Sequence, residues 1–103
     1  MPPEDWAPRD PGYAQRIERN FAAQGFMAHL GAALGDIAPG RVRIRLPIRP
    51  ALTQQHGFAH AGAAWAISDS AAGFAAQSLM APTDSVLTIE LNTRKNLPAV
   101  GAV

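Results

Sequence analysis

The chain has 103 residues, 48% of them hydrophobic, with a formal net charge of +1 and no cysteine. This length suits one small domain that folds around a single apolar core. The near balance of acids and bases argues against a broad contact with nucleic acid or an anionic membrane. The missing cysteines exclude disulfides, thiolate metal sites and a cysteine nucleophile.

Residues 1–10 are predicted to form a flexible arm and residues 11–103 a single domain. The start of the chain carries prolines and acids where a secretory signal has basic and then apolar residues, so a cytoplasmic location is expected. The Ala- and Gly-rich run 57–76 is long enough for a membrane span, but it contains His60 and Asp69. We therefore interpret it as a buried helix and expect no membrane partner.

The first helix is expected to follow the arm. Asp10 and Pro11 match the cap and the first position of a helix. Apolar residues then recur at helical spacing up to about Gly25, with polar residues between them. The apolar positions are Tyr13, Ile17 and Phe21.

A β-hairpin is predicted next, with its first strand near residues 30–37 and its turn at Pro39 and Gly40. The second strand alternates apolar residues with arginines, which predicts one buried and one solvated face. A row of arginines suits a phosphate-bearing ligand, but a solvated outer face is the simpler interpretation. The apolar positions are Val42, Ile44, Leu46 and Ile48.

A long central helix is predicted from about His60 to about Met80, followed by a polar loop to Ser85. Residues 86–92 are β-branched and alternating, which is typical of a strand. The side chains predicted on its apolar face are Leu87, Ile89 and Leu91.

Asp69 is the main candidate for chemistry, because a carboxylate in an apolar helix requires polar partners or a function. The start of the same helix exposes unpaired backbone N–H groups at Ala61, Gly62 and Ala63 that can polarise a carbonyl oxygen. Asp69 lies nine residues after His60, too far along one helix to reach the same reacting atom. A second subunit is one way to supply the missing half.

Two other interpretations of these residues stay open. Asp69 is also compatible with a structural role, capping a loop or pairing with an arginine. His56, His60 and Asp69 have the chemistry of metal ligands, but Gly57 favours a loop between the histidines and no glutamate stands beside His56. No metal and no cofactor are therefore predicted.

Four segments together resemble the PaaI-type hotdog-fold acyl-CoA thioesterases of the 4-hydroxybenzoyl-CoA thioesterase-like superfamily. They are Gln55-His56-Gly57-Phe58-Ala59-His60-Ala61-Gly62, Asp69-Ser70-Ala71-Ala72-Gly73, Thr88-Ile89-Glu90-Leu91-Asn92 and Leu97-Pro98-Ala99. The resemblance implies an α+β hotdog fold, an antiparallel sheet wrapped around the long central helix. Because the family pattern continues with further strands after the Pro-Ala turn, the C-terminal strands are expected to be missing from this chain.

The resemblance also implies roles for individual residues. Asp69 corresponds to the nucleophile or the general base, and the N–H of Ala61 or Gly62 to the group that polarises the thioester carbonyl. Arg94 and Lys95 are expected to meet the phosphates of coenzyme A. Side chains that hold the carbonyl or the attacking water are Gln54, Gln55, His60 and, from a partner subunit, Thr88.

The function expected from the resemblance is hydrolysis of an acyl-CoA thioester by a homodimer or homotetramer. One departure bears on activity, because the family usually has glycine at the position of Ala61. Two alternatives remain open. One is a non-catalytic module for acyl-CoA or small-ligand binding or for assembly, and the other is a hotdog hydratase acting on enoyl thioesters.

Overall fold

The computed structural model describes residues 6–90. One antiparallel pair of strands lies beside three α-helices, and the longest helix packs across the second strand. This arrangement confirms the predicted α+β class and the long central helix. The elements are α1 (Tyr13–Ala23), α2 (Gly25–Leu30), β1 (Ala33–Ala38), β2 (Arg41–Arg45), a 3₁₀ turn (Pro50–Leu52) and α3 (Ala61–Gln77).

Helix α1 begins at Tyr13, slightly later than the sequence predicts. The Asp10 side chain accepts a hydrogen bond from the Gly12 N–H at 2.8 Å, and the Asp10 carbonyl accepts one from the Tyr13 N–H at 3.1 Å. These bonds form a turn ahead of the helix, so Asp10 and Pro11 precede the first helical position. Ile17, on the predicted apolar face, is fully buried.

The first strand starts later than predicted, because Leu30 belongs to the short helix α2. Gly31 ends α2 with a φ of 81°, a left-handed conformation that glycine adopts without a Cβ clash. The Arg49 guanidinium donates to the Leu30 carbonyl at 2.6 Å and to the His29 carbonyl at 3.2 Å. Arg49 therefore caps the end of this helix, a role that the row of arginines did not predict.

The predicted hairpin turn is confirmed. Gly40 has a φ of 74°, as the third position of a type II turn requires, and its N–H donates to the Ser78 hydroxyl at 2.7 Å. The pairing of the strands shifts between Leu34 and Ile37, which marks a β-bulge in β1. The bond to Ser78 joins the turn to the residue that follows α3.

The predicted alternation in the second strand is also confirmed. Ile44 is buried and Arg43 and Arg45 are exposed, and Leu46 beyond the strand is fully buried. Arg43 lies 3.6 Å from Asp36, but both side chains are more than half exposed, at 61% and 70%, so this ion pair contributes little to stability. The core that receives this face also contains Ile17, Met27, Leu30, Leu52, Ala63, Ile67 and Phe74.

Helix α3 is buried on one side only, whereas its composition predicted burial all round. Ile67 and Phe74 face the core, and Trp65 on another side is 46% exposed. No helix in residues 6–90 is long and apolar enough to cross a bilayer.

The strand predicted at residues 86–92 is wrong for the part that the structure describes. Residues 86–90 form no strand, and Leu87 and Ile89 are 90% and 100% exposed. A strand requires a hydrogen-bonded neighbour, and the described sheet pairs β1 only with β2. Residues 91 and 92 lie outside the described part of the chain.

Candidate active site

Asp69 lines a groove between α1, α3 and the segment that returns along α3 after the helix ends. The groove encloses about 350 Å³. Seven of its ten lining residues have polar side chains, which is unusual next to an apolar core. The lining consists of Asn20, Gln24, Asp69, Ser70, Gly73, Phe74, Gln77, Ser85, Val86 and Thr88.

Arg16 fastens α1 to the end of α3. Its guanidinium donates to the Ala81 carbonyl at 2.9 Å and to the Gln77 carbonyl at 3.2 Å, and it lies 3.5 Å from the Asp10 carboxylate. Both charged side chains of this pair are largely buried. Gln77 is the last residue of α3 and Ala81 lies in the loop that follows, and each carbonyl also accepts a backbone N–H, from Met80 and Asp84 respectively. The contact fixes which face of α1 looks onto α3.

That face carries two amide side chains into the groove. Asn20 follows Arg16 by four residues on the same stripe of α1, and Gln24 is the residue immediately after the helix. Asn20 Nδ2 donates to Gln77 Oε1 at 3.3 Å, and the Ser70 hydroxyl donates to Gln24 Oε1 at 3.1 Å. Two side-chain pairs therefore bridge the helices along the groove.

The facing stripe of α3 is equally regular. Asp69, Gly73 and Gln77 are four residues apart and line the groove together. The Asp69 side chain is half-buried, and its Oδ1 accepts a hydrogen bond from the Thr88 hydroxyl at 2.6 Å. The carboxylate was expected to meet Thr88 of a partner subunit, but the contact lies within one chain because the segment after α3 folds back alongside the helix.

This geometry leaves one side of the carboxylate available. Among residues 6–90, no group donates a hydrogen bond to Asp69 Oδ2. Asp69 lines an open groove, so a ligand can approach the residue from there. A carboxylate held by one hydroxyl is able to accept a proton from water or to attack a carbonyl carbon directly. Asp69 and Thr88 are thus two of the predicted site residues that the structure brings together.

The start of α3 is arranged differently, because His60 caps its own helix. Its Nδ1 accepts a hydrogen bond from the Gly62 N–H at 2.9 Å, and a Cβ placed on Gly62 would lie 3.0 Å from that nitrogen. The Gly62 N–H is therefore occupied, and the Ala63 N–H donates to the His60 carbonyl at 3.0 Å, so neither is the free donor that was predicted. The exposed Ala61 N–H has no acceptor within residues 6–90 and remains available.

The loop before α3 also uses its own polar groups. Gln54 Oε1 accepts hydrogen bonds from the N–H groups of His56 at 2.7 Å and Phe58 at 3.2 Å. Gly57 turns the loop with a φ of 84°. Gln54 therefore shapes the loop with its oxygen and keeps only its amide nitrogen for a ligand, whereas Gln55 is exposed beside it.

The two halves of the predicted site do not converge within one chain. Asp69 follows Ala61 by eight residues, which corresponds to about 12 Å along the helix axis. In the described part of the chain, no three His, Asp or Glu side chains cluster as metal ligands would. Arg94 and Lys95 lie outside the described residues.

Five polar groove residues escaped the sequence analysis: Asn20, Gln24, Ser70, Gln77 and Ser85. For the residues along the two helices, the signal was present in the spacing. Polar residues at intervals of four on α1, and Asp69 followed by Gln77 two turns later on α3, predict two facing polar stripes once the helices are known to pack.

Comparison with solved structures identifies the fold of this chain. E. coli PaaI, a protein from the phenylacetic acid degradation operon, matches with a TM-score of 0.66 at 17% identity, over 87% of this chain and 64% of that protein. A conserved protein of Pseudomonas aeruginosa matches with a TM-score of 0.74 at 21% identity, over 82% and 68%. The fold is the hotdog fold, as the family resemblance implied.

A thioesterase family protein from Silicibacter pomeroyi shows the family as well as the fold. Its crystal structure matches with a TM-score of 0.85 at 47% identity, over 88% of this chain and 68% of that one. The chain belongs to the thioesterase family. No protein-family profile matches it.

A curated relative has a related name. This Halobacterium salinarum protein, named "Putative esterase", is 33% identical over 93 residues, which cover 85% of the present chain. The chain spans 62% of the length of that relative.

Proposed function

We propose that the protein hydrolyses an acyl-CoA thioester to a free acid and coenzyme A, with Asp69 as general base or nucleophile. The observation that carries this proposal is the Asp69 carboxylate, held by Thr88 at 2.6 Å in an open groove. Membership of the thioesterase family supports the same chemistry. Water adds its oxygen to the carbonyl carbon, the C–S bond breaks, and the thiolate leaves and takes up a proton.

The reaction also needs donors for the oxyanion that forms on the carbonyl oxygen. The Ala61 N–H is the donor left free at the start of α3, and it lies about 12 Å along the helix from Asp69 of its own chain. We therefore place each active site between two protomers, with Asp69 from one and Ala61 from the other. A homodimer or a homotetramer satisfies this requirement.

The remaining predicted residues take supporting roles in the proposal. The Gln54 amide nitrogen and the exposed Gln55 lie next to the start of α3, where they suit contacts with the carbonyl or the water. His60 acts by holding the first turn of the helix. Arg94 and Lys95 supply the charge that coenzyme A phosphates require. The chemistry needs no metal or cofactor, and a cytoplasmic location fits a coenzyme A substrate.

The proposal is tested by thiol release from a panel of acyl-CoA esters, with the natural protein and with Asp69→Asn. The amide is close in shape to the carboxylate but neither accepts a proton nor attacks, so the rate should fall at least about a hundredfold. Asp36→Asn is the matched control, because Asp36 is an exposed carboxylate remote from the groove. Circular dichroism should show that both variants are folded.

Other outcomes separate the alternative functions. If folded Asp69→Asn retains most of the activity, Asp69 is not the catalytic residue. Saturable binding of a CoA ester without release of thiol would identify a binding module instead. Loss of the enoyl absorbance of a crotonyl thioester would identify a hydratase.

A further inference from the structure

We propose that the groove holds the acyl part of the substrate and that its amide side chains select short acyl chains carrying a neutral hydrogen-bonding group, such as a hydroxyl or an oxo group. The inference rests on the proposed function of Asp69. It assigns a specificity role to Gln24, Asn20 and Gln77, which line the groove beside and beyond the carboxylate.

The charge of the groove decides which part of the substrate enters it. Among the lining residues that the structure describes, Asp69 is an anion and none is a cation. The phosphates of coenzyme A would meet a carboxylate with no lysine or arginine to offset the repulsion. The acyl side of the scissile bond therefore lies in the groove, and an acyl chain that ends in a carboxylate is disfavoured for the same reason.

The size and polarity of the groove limit the acyl group further. Its volume of about 350 Å³ is near the lower end of the range for ligand pockets. The apolar surface is confined to Gly73, Phe74 and Val86. A long alkyl chain would cover the amides without offering them a hydrogen bond, which is costly for each polar group that it buries.

The amides keep free hydrogen-bonding groups for a ligand. The contact from Ser70 occupies Gln24 Oε1, and the contact from Asn20 occupies Gln77 Oε1. Both glutamine Nε2 groups have no protein acceptor in the described part of the chain. Neither nitrogen is fully buried, because among residues 6–90 the one fully buried side-chain nitrogen or oxygen without a partner is Arg16 Nε. These nitrogens are therefore accessible as donors.

The order of these groups along α3 indicates which acyl position they contact. The Gln24–Ser70 pair lies beside Asp69, because Ser70 is the next residue of the helix. Gln77, the α3 member of the Asn20–Gln77 pair, lies eight residues beyond Asp69, or about 12 Å along the axis. With the thioester carbonyl at Asp69, a substituent close to the carbonyl meets Gln24, and only a longer chain extends to Asn20 and Gln77.

The experiment compares thiol release from butanoyl-CoA and 3-hydroxybutanoyl-CoA, two substrates that differ by one hydroxyl. We expect the natural protein to favour the hydroxylated ester by about tenfold or more in kcat/KM. Gln24→Met keeps the volume of the side chain but removes its amide group, and should bring the ratio near one. Gln15→Met, at an exposed position of α1, is the control and should leave the ratio unchanged.

A ratio near one in the natural protein would overturn the inference. So would a preference that persists in Gln24→Met, with the fold of that variant checked by circular dichroism. Calorimetric binding of the same two esters separates this inference from the proposed function. If no thiol is released but 3-hydroxybutanoyl-CoA binds more tightly and Gln24→Met removes the difference, the groove selects as proposed. If the two esters bind equally tightly, the groove does not select between them and the inference fails.

Discussion

The two functional regions of α3 differ in how completely the protein satisfies its own polar groups. At the start of the helix, His60 accepts from the Gly62 N–H and Gln54 accepts from two loop N–H groups. In the middle, Asp69 has one partner, Thr88, and faces an open groove. When the residue before a helix caps it, its side chain accepts from N–H groups that would otherwise be free to donate to a ligand. A sequence motif at a helix start therefore predicts more free donors than the structure has.

The donor half of the site is thus the Ala61 N–H alone among the groups described at the start of α3, whereas the acid half at Asp69 is open to a ligand. The distance of about 12 Å between them along the helix is the reason to assign them to different protomers. Each half can be altered separately without changing the core, because Ala61 and Thr88 are exposed and Asp69 is half-buried.

The largest effect is expected from Ala61→Pro, which deletes the free N–H. Proline is well tolerated at the first position of a helix, and His60 has φ −63° and ψ 135°, the conformation that a residue before proline prefers. Thiol release should therefore fall about a hundredfold with little change in the thermal midpoint. Ala61→Ser keeps the N–H and is the control. Equal activity of the proline and serine variants would show that this donor is not used.

A smaller effect is expected from Thr88→Val, which removes the hydroxyl that holds Asp69 and keeps the shape of the side chain. A single neutral-to-charged hydrogen bond at an exposed site suggests a loss of about tenfold in kcat. Thr88→Ser should restore most of the rate because it restores the donor. A valine variant with unchanged kcat would mean that the carboxylate needs no positioning.

The smallest effects are expected from two glycines on α3, and they have opposite signs. Gly62→Ala places a Cβ 3.0 Å from His60 Nδ1 and disturbs the cap, so the free energy of unfolding should fall by about 1 kcal/mol. Gly73→Ala meets Val86 at an ordinary 3.7 Å and should gain up to about 1 kcal/mol from helix propensity. Urea denaturation measures both. If Gly73→Ala is destabilised, the alanine Cβ must clash with Val86, which would contradict the ordinary contact expected here.

Local patterns predicted much of the fold because they reflect local physics. Alternation fixed the buried face at Ile44 and Leu46, and Pro39-Gly40 predicted the turn. Periodicity placed α1 and α3 to within a few residues. The strand at residues 86–92 failed in its described part because pairing depends on a neighbour that no local pattern specifies.

Only part of the site was predicted, because local patterns do not specify contacts between separate elements. A lone carboxylate in an apolar helix identified Asp69, and the resemblance identified Thr88. Neither indicated that the two residues meet within one chain. The use of Gly62 by His60, and the amides opposite Asp69, depend on side-chain contacts between separate elements.

The central claim is that Asp69 and the Ala61 N–H at each active site come from different protomers. The most direct measurement mixes Asp69→Asn with Ala61→Pro, dissociates and reassociates the subunits, and assays thiol release. Hybrid dimers then contain one site with both changes and one with neither, so activity should return to about a quarter of the natural level. A mixture that forms hybrids yet remains as inactive as its two components would contradict the claim.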